Sequence, residues 1–168
     1  MCLKTDCSLV PQPLSASDLE EVLLIERASF AVPWSRKMFL DELSNSNARL
    51  TVFKCDGKIV GYMCFWAVLD EAHLLNIAVH PMHRSKGYGK AIMAHLEARC
   101  RDEGLHRVIL EVGRRNMVAR DLYKQSGFSS IGFRKRYYSA VKDDALVMEK
   151  WLGQPETRRE KPGRTGMK

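Results

Sequence analysis

The chain has 168 residues and a mass of 19.2 kDa; 45% of the residues are hydrophobic and 28% are charged. This length fits one ordinary domain, and this share of apolar residues excludes a disordered chain. Lys and Arg number 27 against 20 Asp and Glu, so the net charge is +7, which favours polyanionic partners such as nucleic acid or a phosphate-rich ligand.

The cysteine and histidine patterns point away from disulfides and metals. The five cysteines are widely spaced and form no Cys-x-x-Cys pair, so neither a disulfide framework nor a zinc knuckle is predicted, and a reducing, cytoplasmic location is expected. His80 and His83 lie on either side of Pro81 without metal-ligand spacing, so we expect no metal. The longest apolar stretches, such as residues 62–69, are too short for a membrane span or a signal peptide, which predicts a soluble, unexported protein with no membrane contact.

The first predicted helix follows an extended segment, residues 10–15, which contains two prolines. Ser17 and Glu20 have the spacing of a capping box, so we expect the helix to begin there and to end at about Ser29. Four apolar side chains of this segment are predicted to face the core: Val22, Leu24, Ile25 and Phe30.

A second, short helix is predicted after Pro33 and Trp34, which break the first. Ser35 is expected to cap it. It would carry Met38, Phe39 and Leu43 at helical spacing.

The middle of the chain predicts three strands. Residues 50–54 and 58–69 are rich in β-forming residues, and Asp56-Gly57 between them is a strong hairpin signal. Residues 73–79 form a further apolar run that ends before Pro81. Two helices and three strands therefore precede the second half of the chain.

The second half alternates helices with strands. In chain order the predicted elements are a helix over residues 87–102, a strand over 107–112, a helix over 116–125, and strands over 128–138 and 145–151. Gly104 and Gly127 are expected to end the two helices. Because helices separate strands only in this half, the order predicts a mixed α/β sheet that is parallel in part.

The composition changes at Gly153. The following residues are Gly, Pro, Thr, Glu, Arg and Lys without apolar periodicity, so residues 1–152 are predicted to be one domain and residues 153–168 a disordered basic tail. Five basic and two acidic residues give this tail +3 of the net charge. A solvated terminus is favoured over a weak ribosome or RNA contact through the tail, which stays the alternative.

A glycine-containing turn precedes the predicted long helix: Arg84-Ser85-Lys86-Gly87-Tyr88-Gly89-Lys90. Backbone N–H groups and the positive end of the helix dipole can face one point there, and three cationic side chains add charge. The pattern is neither a P-loop nor a dinucleotide fingerprint. It predicts a phosphate site only weakly, and a helix start that happens to contain glycine is the alternative.

The run from Leu75 to Gly89, LNIAVHPMHRSKGYG, resembles the coenzyme-binding motif of the GCN5-related N-acetyltransferases (GNAT superfamily). The resemblance covers about residues 8–151 and is closest to the RimI-type branch, which acetylates the N-terminal alanine of ribosomal protein S18. The other segments that carry it are Phe30–Ser35, Leu69–Ala72, Leu110–Val112 with Asn116, Leu122–Tyr123 before Ser126–Phe128, and Arg136–Tyr138.

The resemblance implies the GNAT fold, an α/β fold with a mixed, mostly antiparallel central sheet, splayed parallel fourth and fifth strands and helices on both faces. It also implies acetyl-CoA as co-substrate, with S18 as the protein partner. The residues it assigns to coenzyme binding are Ile77, Ala78, Val79, Arg84, Ser85, Lys86, Gly87, Tyr88, Gly89, Lys90 and Asn116. On chemical grounds Asn116 is first a helix cap, and the two roles are compatible.

Acetyl transfer to an amine requires a neutral amine, a stabilised oxyanion and a proton for the leaving thiolate. The pKa of an α-amine is about 8 against about 10.4 for lysine, so a protein N-terminus is the easier acceptor. Glu111 lies on an alternating strand, where a solvated charge at a strand end is the alternative; the resemblance matches it to the family's proton acceptor. Tyr123 would be core packing by its surroundings, and the resemblance matches it to the proton donor. A backbone N–H of residues 76–79 is expected to hold the oxyanion.

Tyr137 and Tyr138 resemble the paired tyrosines that line the peptide entrance in N-terminal acetyltransferases. Since adjacent strand residues point to opposite faces, at most one of them would line the groove. Ser139 stands where the branch tends to have proline. The alternatives are an acetyltransferase for lysine or a small amine, and a non-catalytic ribosome- or RNA-binding module, against which the retained Glu111 and Tyr123 argue.

Overall fold

The structure, a computed structural model, describes residues 7–138 and 143–153, with the backbone alone for residues 136–138 and 143. The helices of these ranges are α1 (Leu19–Ser29), α2 (Arg36–Leu43), α3 (Tyr88–Asp102) and α4 (Met117–Gln125). The strands are β1 (Val10–Pro13), β2 (Ala48–Cys55), β3 (Lys58–Val68), β4 (Glu71–Val79), β5 (Arg107–Gly113), β6 (Ser129–Tyr138) and β7 (Asp143–Trp151).

The strands form one sheet in the order β1-β2-β3-β4-β5-β7-β6. β4 and β5 are parallel, and the other neighbouring strands are antiparallel, which confirms the mixed sheet. β1 was predicted only as an extended segment. Its two prolines lie on an edge strand, where the missing N–H groups cost no ladder hydrogen bonds.

Polar side chains start the first two helices. Ser35 Oγ accepts a hydrogen bond from the Met38 N–H at 3.2 Å, as predicted for the second helix. The capping box predicted at Ser17 and Glu20 is wrong: the Ser15 N–H donates to the Asp18 carboxylate at 2.9 Å, and a 3-10 turn over Ala16–Asp18 leads into α1. The capping residue is therefore Ser15 and not Ser17, because Asp18, three residues after Ser15, completes the same motif.

Helices cover both faces of the sheet. α3 and α4 bury Ile92, Leu96 and Tyr123 on one face, and α1 and α2 bury Val22 and Phe39 on the other. Helices on both faces are therefore confirmed.

The core face of α1 differs from the predicted one at one residue, Leu24. The buried stripe contains Leu19, Val22, Leu23 and Glu26, which follow the i, i+3, i+4, i+7 spacing. Leu24 lies off this stripe and is 63% exposed, so the prediction that it faces the core is wrong. A glutamate occupies the core position instead.

A β-bulge in β4 determines which helices its side chains meet. Phe65 of β3 pairs with Leu74, and Cys64 pairs with Asn76, so Leu75 is the extra residue. Before the bulge, Ala72 and Leu74 face α3; after it, Ala78 faces α1 and α2. The bulge thus turns Asn76 and Ala78 toward α1.

The structure joins Cys7 and Cys55 in a disulfide with a Cα–Cα distance of 5.7 Å, so the expectation of no disulfide is wrong. Sequence spacing could not show this pair, which is 48 residues apart. The antiparallel register places Val10 opposite Lys54 and so carries Cys7 to the end of β2. The two other described cysteines, Cys64 and Cys100, are buried, and burial raises the pKa of each thiol to about 12.

Reduction of the Cys7–Cys55 bond should lower the free energy of unfolding by about 4 kcal/mol, since the disulfide closes a loop of 48 residues in the unfolded chain. Denaturant titrations with and without reductant measure this difference. The double variant C7S/C55S is the control, because reductant should leave its midpoint unchanged. Equal midpoints for the wild type in both conditions would show that the bond does not form.

Candidate active site

The parallel strands β4 and β5 part beyond a short pairing, and the gap between their separated ends is called the cleft here. The two strands pair over four residues, from Glu71 with Arg107 to Leu74 with Leu110. Beyond this pairing β4 continues to Val79 and β5 to Gly113 with no mutual register among the described residues. The expected splay of the parallel strands is therefore present. Glu111 is the first residue of β5 after the last paired residue, Leu110.

Glu111 lies half-buried at the mouth of this cleft. Val108, Leu110 and Val112 are buried on one face of β5, and Glu111 points to the other, as the alternation predicted. Its carboxylate forms an ion pair with the Arg134 guanidinium of β6, with 3.0 Å between Oε1 and Nη1. Sequence reasoning did not predict this partner, because β6 reaches β5 only through β7.

Tyr123 is buried on α4, with 6% of its surface exposed. Its ring lies 6.0 Å from the ring of Phe128, centroid to centroid, within the core under α3. The side chain therefore packs, as expected from its surroundings, and its role as proton donor stays a prediction.

Asn116 starts the helix that carries Tyr123. Its Oδ1 accepts a hydrogen bond from the Ala119 N–H at 3.2 Å, which confirms the predicted cap. The residue is exposed and follows β5 directly, so it lies at the same end of the sheet as the cleft.

The turn before α3 has the backbone that the phosphate hypothesis requires. Ser85 and Gly87 have φ values of 60° and 84°, in the left-handed region, and Gly87 is the N-cap of α3. The first N–H groups of a helix have no partner within it, so those of α3 can face an anion. Gly89 has a different role: a Cβ there would lie 3.2 Å from Leu122 Cδ2, so glycine allows α3 to approach α4.

The charged side chains of this turn divide into two groups. Arg84 is held by structure, because its Nε donates to the Val79 carbonyl at 3.0 Å and its Nη2 to Ser29 Oγ at 2.9 Å. Lys86 and Lys90 are exposed beside the turn.

Desolvation, with further contributions from Lys86 and other neighbouring cations, lowers the pKa of His83. Tyr88 is tied to β2 through its hydroxyl, which lies 3.5 Å from Cys55 Sγ.

The segment of β4 predicted to bind coenzyme, residues 77–79, lies beyond the residues that pair with β5. Ile77 and Val79 are half-buried and pack toward α3, whereas Ala78 is buried toward α1. On its other edge this segment pairs with Gly61–Met63 of β3. The edge toward β5 has no strand partner in the described ranges, so its backbone groups can meet an extended ligand.

Some predicted residues fall outside the description. Tyr137 and Tyr138 lie in β6, where the structure describes their backbone but not their side chains. Ser139 and residues 154–168 of the predicted tail lie outside the described residues. The cluster Cys7, Cys55 and Asp56 brings possible metal ligands together, but the disulfide uses both thiols. In residues 7–138 and 143–153, no helix has the length and hydropathy to cross a membrane.

Sequence reasoning missed a buried polar cluster next to the cleft. Glu26 is 1% exposed and accepts hydrogen bonds from the Trp34 N–H at 2.7 Å, from Asn76 Nδ2 at 3.1 Å and from the Tyr62 hydroxyl. Burial raises the pKa of this carboxyl, against the lowering effect of the bonds from Trp34 and Asn76. The available signal was an acidic residue at a core position of the α1 stripe.

The model of the acetyltransferase (GNAT) family matches residues 19–128. The chain therefore belongs to this family, as the fold and the turn before α3 indicate. Over 139 residues it is 35% identical to the ribosomal protein bS18-alanine N-acetyltransferase of Escherichia coli K12, covering 80% of this chain and 92% of that protein.

Two further relatives agree. A Bacillus subtilis protein provisionally given the same name is 36% identical over 132 residues, which cover 78% of this chain and 87% of the relative. The crystal structure of the Escherichia coli ribosomal-protein-S18-alanine N-acetyltransferase matches with a TM-score of 0.82 at 29% identity, covering 90% of this chain and 98% of that one. Sequence and fold thus point to the same branch of the family.

The variant G87A should weaken acetyl-CoA binding. The new Cβ meets no atom within 4 Å, so the substitution acts through the φ of +84°, which costs a residue with a side chain roughly 1–2 kcal/mol. If the turn relaxes to avoid this strain, the KM for acetyl-CoA rises roughly fivefold to tenfold.

The matched control is G104A at the other end of α3, which has a φ of +73° and also no atom within 4 Å of the new Cβ. Both variants should lose similar thermal stability, but G104A should keep the wild-type KM. Equal KM values for G87A and the wild type would show that the turn does not bind acetyl-CoA.

Proposed function

We propose that the protein is an acetyl-CoA-dependent N-α-acetyltransferase that modifies a protein N-terminus, with the N-terminal alanine of ribosomal protein S18 as its substrate. The observation that carries the proposal is the placement of Glu111 at the point where β4 and β5 part, in a chain whose relatives are named for that reaction. The parting would let an amine and a thioester approach Glu111 from opposite sides of the sheet.

The residues present fit acetyl-CoA. The left-handed turn at Ser85 and Gly87, the N-terminus of α3, and exposed Lys86 and Lys90 would hold the pyrophosphate. The backbone of residues 77–79 would pair with the pantetheine arm, and Asn116 would contact the coenzyme at the start of α4. When bound, acetyl-CoA supplies an activated acetyl thioester.

Glu111 would act as the general base. An α-amine has a pKa of about 8, so a large fraction is protonated near neutral pH and must lose a proton before attack. Arg134 orients the Glu111 carboxylate by its 3.0 Å ion pair. The second carboxylate oxygen can then accept a proton from the amine through one water molecule.

Tyr123 would act as the general acid for the departing thiolate. α4 places its side chain in the core next to β5, where packing against Phe128 restricts the ring. A backbone N–H of residues 76–79 would stabilise the oxyanion, because the β5-facing edge of this segment has no strand partner within the described ranges.

The partners and location follow from the proposed acceptor. One of Tyr137 and Tyr138 would line the peptide entrance, and the basic tail would be dispensable for acetylation of a short peptide. A substrate on the ribosome implies a cytoplasmic enzyme. The Cys7–Cys55 disulfide is the observation that counts against this location, since cytoplasmic disulfides are rare.

The alternatives of a lysine or small-amine acetyltransferase and of a non-catalytic ribosome-binding module are tested together. A peptide with the first residues of S18 and one internal lysine is incubated with enzyme and acetyl-CoA, and tandem mass spectrometry locates the acetyl group. Acetylation of the α-amine supports the proposal. Acetyl on lysine alone would assign the other acceptor, and no acetylation of the peptide or of S18 would remove the proposal.

The variant E111Q should lower kcat/KM by about 100-fold, because glutamine cannot take the proton of the amine. The pH profile between about pH 6 and 9 should also change, with the loss smallest at high pH, where the α-amine is already neutral. Steady-state rates with the S18 peptide measure both effects.

The control for Glu111 is E149Q on β7. Glu149 is also paired with an arginine, Arg107, at 2.7 Å, and its side chain is similarly half-buried. This variant should keep the activity of the wild type. Wild-type kcat/KM for E111Q at every pH would exclude Glu111 as the base.

The variant Y123F should lower kcat by about tenfold to 100-fold and leave the dissociation constant of acetyl-CoA unchanged, since it removes only a hydroxyl. Calorimetric binding and pre-steady-state acetylation separate these quantities. A thermal unfolding curve shows that the buried ring still packs. An unchanged kcat contradicts the role of proton donor.

A further inference from the structure

The Cys7–Cys55 disulfide lies beside the turn that is proposed to bind the coenzyme. Cys55 is the last residue of β2, and the Tyr88 hydroxyl donates a hydrogen bond to its Sγ at 3.5 Å. Tyr88 is the first residue of α3 and directly follows Gly87, the N-cap with a φ of 84°. One side chain therefore separates the disulfide from the backbone N–H groups of the turn.

The hairpin after Cys55 also lies against this turn. The His80 N–H donates to the Val60 carbonyl at 2.8 Å, where the start of β3 meets the end of β4. The charge of Lys58 is one of the causes, after desolvation, that lower the pKa of His83. The His83 ring lies 6.3 Å from the ring of Tyr88, centroid to centroid. The end of β2, the hairpin and the turn are therefore neighbours in the fold.

The two sulfur atoms differ in their access to solvent. Cys7 is half-buried and precedes the edge strand β1, whereas Cys55 is 9% exposed. A thiolate from solvent can therefore reach Cys7 Sγ more easily, and Cys55 Sγ becomes the leaving group. Because the Tyr88 O–H already points at that sulfur, it can stabilise the departing thiolate.

The proposed location gives the pair a further reason to react. Cytoplasmic disulfides are rare, and those that occur are usually transient, with a catalytic or redox-sensing role. A disulfide in an enzyme that acts on a ribosomal protein is thus expected to change its state and not to remain a permanent crosslink.

A metal site is the competing use of the same thiols. Cys7, Cys55 and Asp56 bring three possible ligand atoms within 4.8 Å of one another among the described residues. A structural zinc site takes four protein ligands. The structure favours the disulfide, since both sulfur atoms are already bonded to each other.

We propose that Cys7 and Cys55 are a reversible thiol–disulfide modification site, whose oxidised form strengthens binding of the coenzyme pyrophosphate by fixing the acceptor of the Tyr88 hydroxyl. The inference rests on the proposed function for the identity of the ligand. In the reduced protein, Cys55 Sγ is free to rotate about the Cα–Cβ bond. Tyr88 then loses a fixed partner, and the turn before α3 loses a restraint.

The reactants are small-molecule disulfides and thiols of the glutathione class. In the oxidation, the Cys7 thiolate attacks one sulfur of oxidised glutathione, which forms a mixed disulfide and releases one glutathione thiolate. The Cys55 thiolate then attacks Cys7 Sγ, which forms the protein disulfide and releases the second. The protein gives up two electrons and two protons, and two molecules of reduced glutathione receive them.

The first experiment tests reversibility without any substrate. The full chain is equilibrated with mixtures of oxidised and reduced glutathione, free thiols are alkylated, and mass spectrometry of the peptides counts the paired Cys7 and Cys55. The paired fraction should follow the glutathione ratio and reach the same value from the oxidised and the reduced protein. A pair that stays fully oxidised at millimolar reduced glutathione, or that never forms with oxidised glutathione, overturns the proposal.

The second experiment measures the effect on the coenzyme. Calorimetric titration with acetyl-CoA, which has no free thiol, is performed on the oxidised protein and on the protein reduced by a phosphine, at a temperature at which both are folded. Reduction should raise the dissociation constant by about threefold, the size expected for one weak hydrogen bond. By reciprocity, saturating acetyl-CoA should shift the midpoint of the glutathione titration toward the disulfide by the same factor.

Three variants identify the path of the effect. C7S should bind acetyl-CoA as the reduced wild type does and should not respond to glutathione. C2S is the matched control, because Cys2 is another thiol only five residues from Cys7 in the sequence, and it should keep the full response. Y88F should form the disulfide and bind acetyl-CoA equally in both states, because it lacks only the hydroxyl that faces Cys55 Sγ.

The outcomes separate this proposal from the proposed function. Equal dissociation constants for the oxidised and reduced wild type, or a threefold response that persists in Y88F, overturn the proposed coupling. Zinc retained by the reduced protein after dialysis, and absent from C7S, would assign the thiols to a metal instead. Failure of the wild type to bind acetyl-CoA in either state overturns the proposed function and leaves the thiol titration standing.

Discussion

The parting of β4 and β5 after four residue pairs is the constraint on which the site depends. Strands that stayed paired would close the sheet beside Glu111 and use the free edge of β4 for ladder hydrogen bonds. The Leu75 bulge adds a second effect, because it moves the following residues of β4 to the opposite face. The same short segment therefore leaves an edge toward β5 without a strand partner in the described ranges and turns Asn76 toward α1.

Local signals in the sequence were sufficient for most of the fold. The caps at Ser35 and Asn116, the Asp56-Gly57 hairpin and the turn at Gly87 were all predicted, because each is decided by the conformational preferences of a few neighbouring residues. Two local predictions were wrong: the cap lies at Ser15 and not at Ser17, and Leu24 is exposed and does not face the core. The splay of the fourth and fifth strands and the choice of coenzyme, in contrast, were expected only from the resemblance to a family, since periodicity does not show how strands pair.

The contacts that could not be predicted join residues far apart in the chain. Cys7 meets Cys55 through the register of β1 on β2, and Arg134 meets Glu111 across β7. Each depends on strand order and register, which no local pattern specifies. Glu26 is an intermediate case: its place in the buried stripe of α1 was visible in the sequence, but its partners on β3 and β4 were not.

At the proposed coenzyme turn, the excess positive charge would have a smaller role than the composition suggested. Arg84 uses its guanidinium to join the end of β4 to α1, and Lys86 and Lys90 are the other exposed cations of the turn. The remaining recognition of a pyrophosphate would come from backbone N–H groups at the start of α3, whose direction depends on the φ values of Ser85 and Gly87. Backbone donors are fixed by the fold and add no net charge. Coenzyme binding should therefore depend more on the shape of this turn than on salt concentration, in contrast to binding of nucleic acid through net charge.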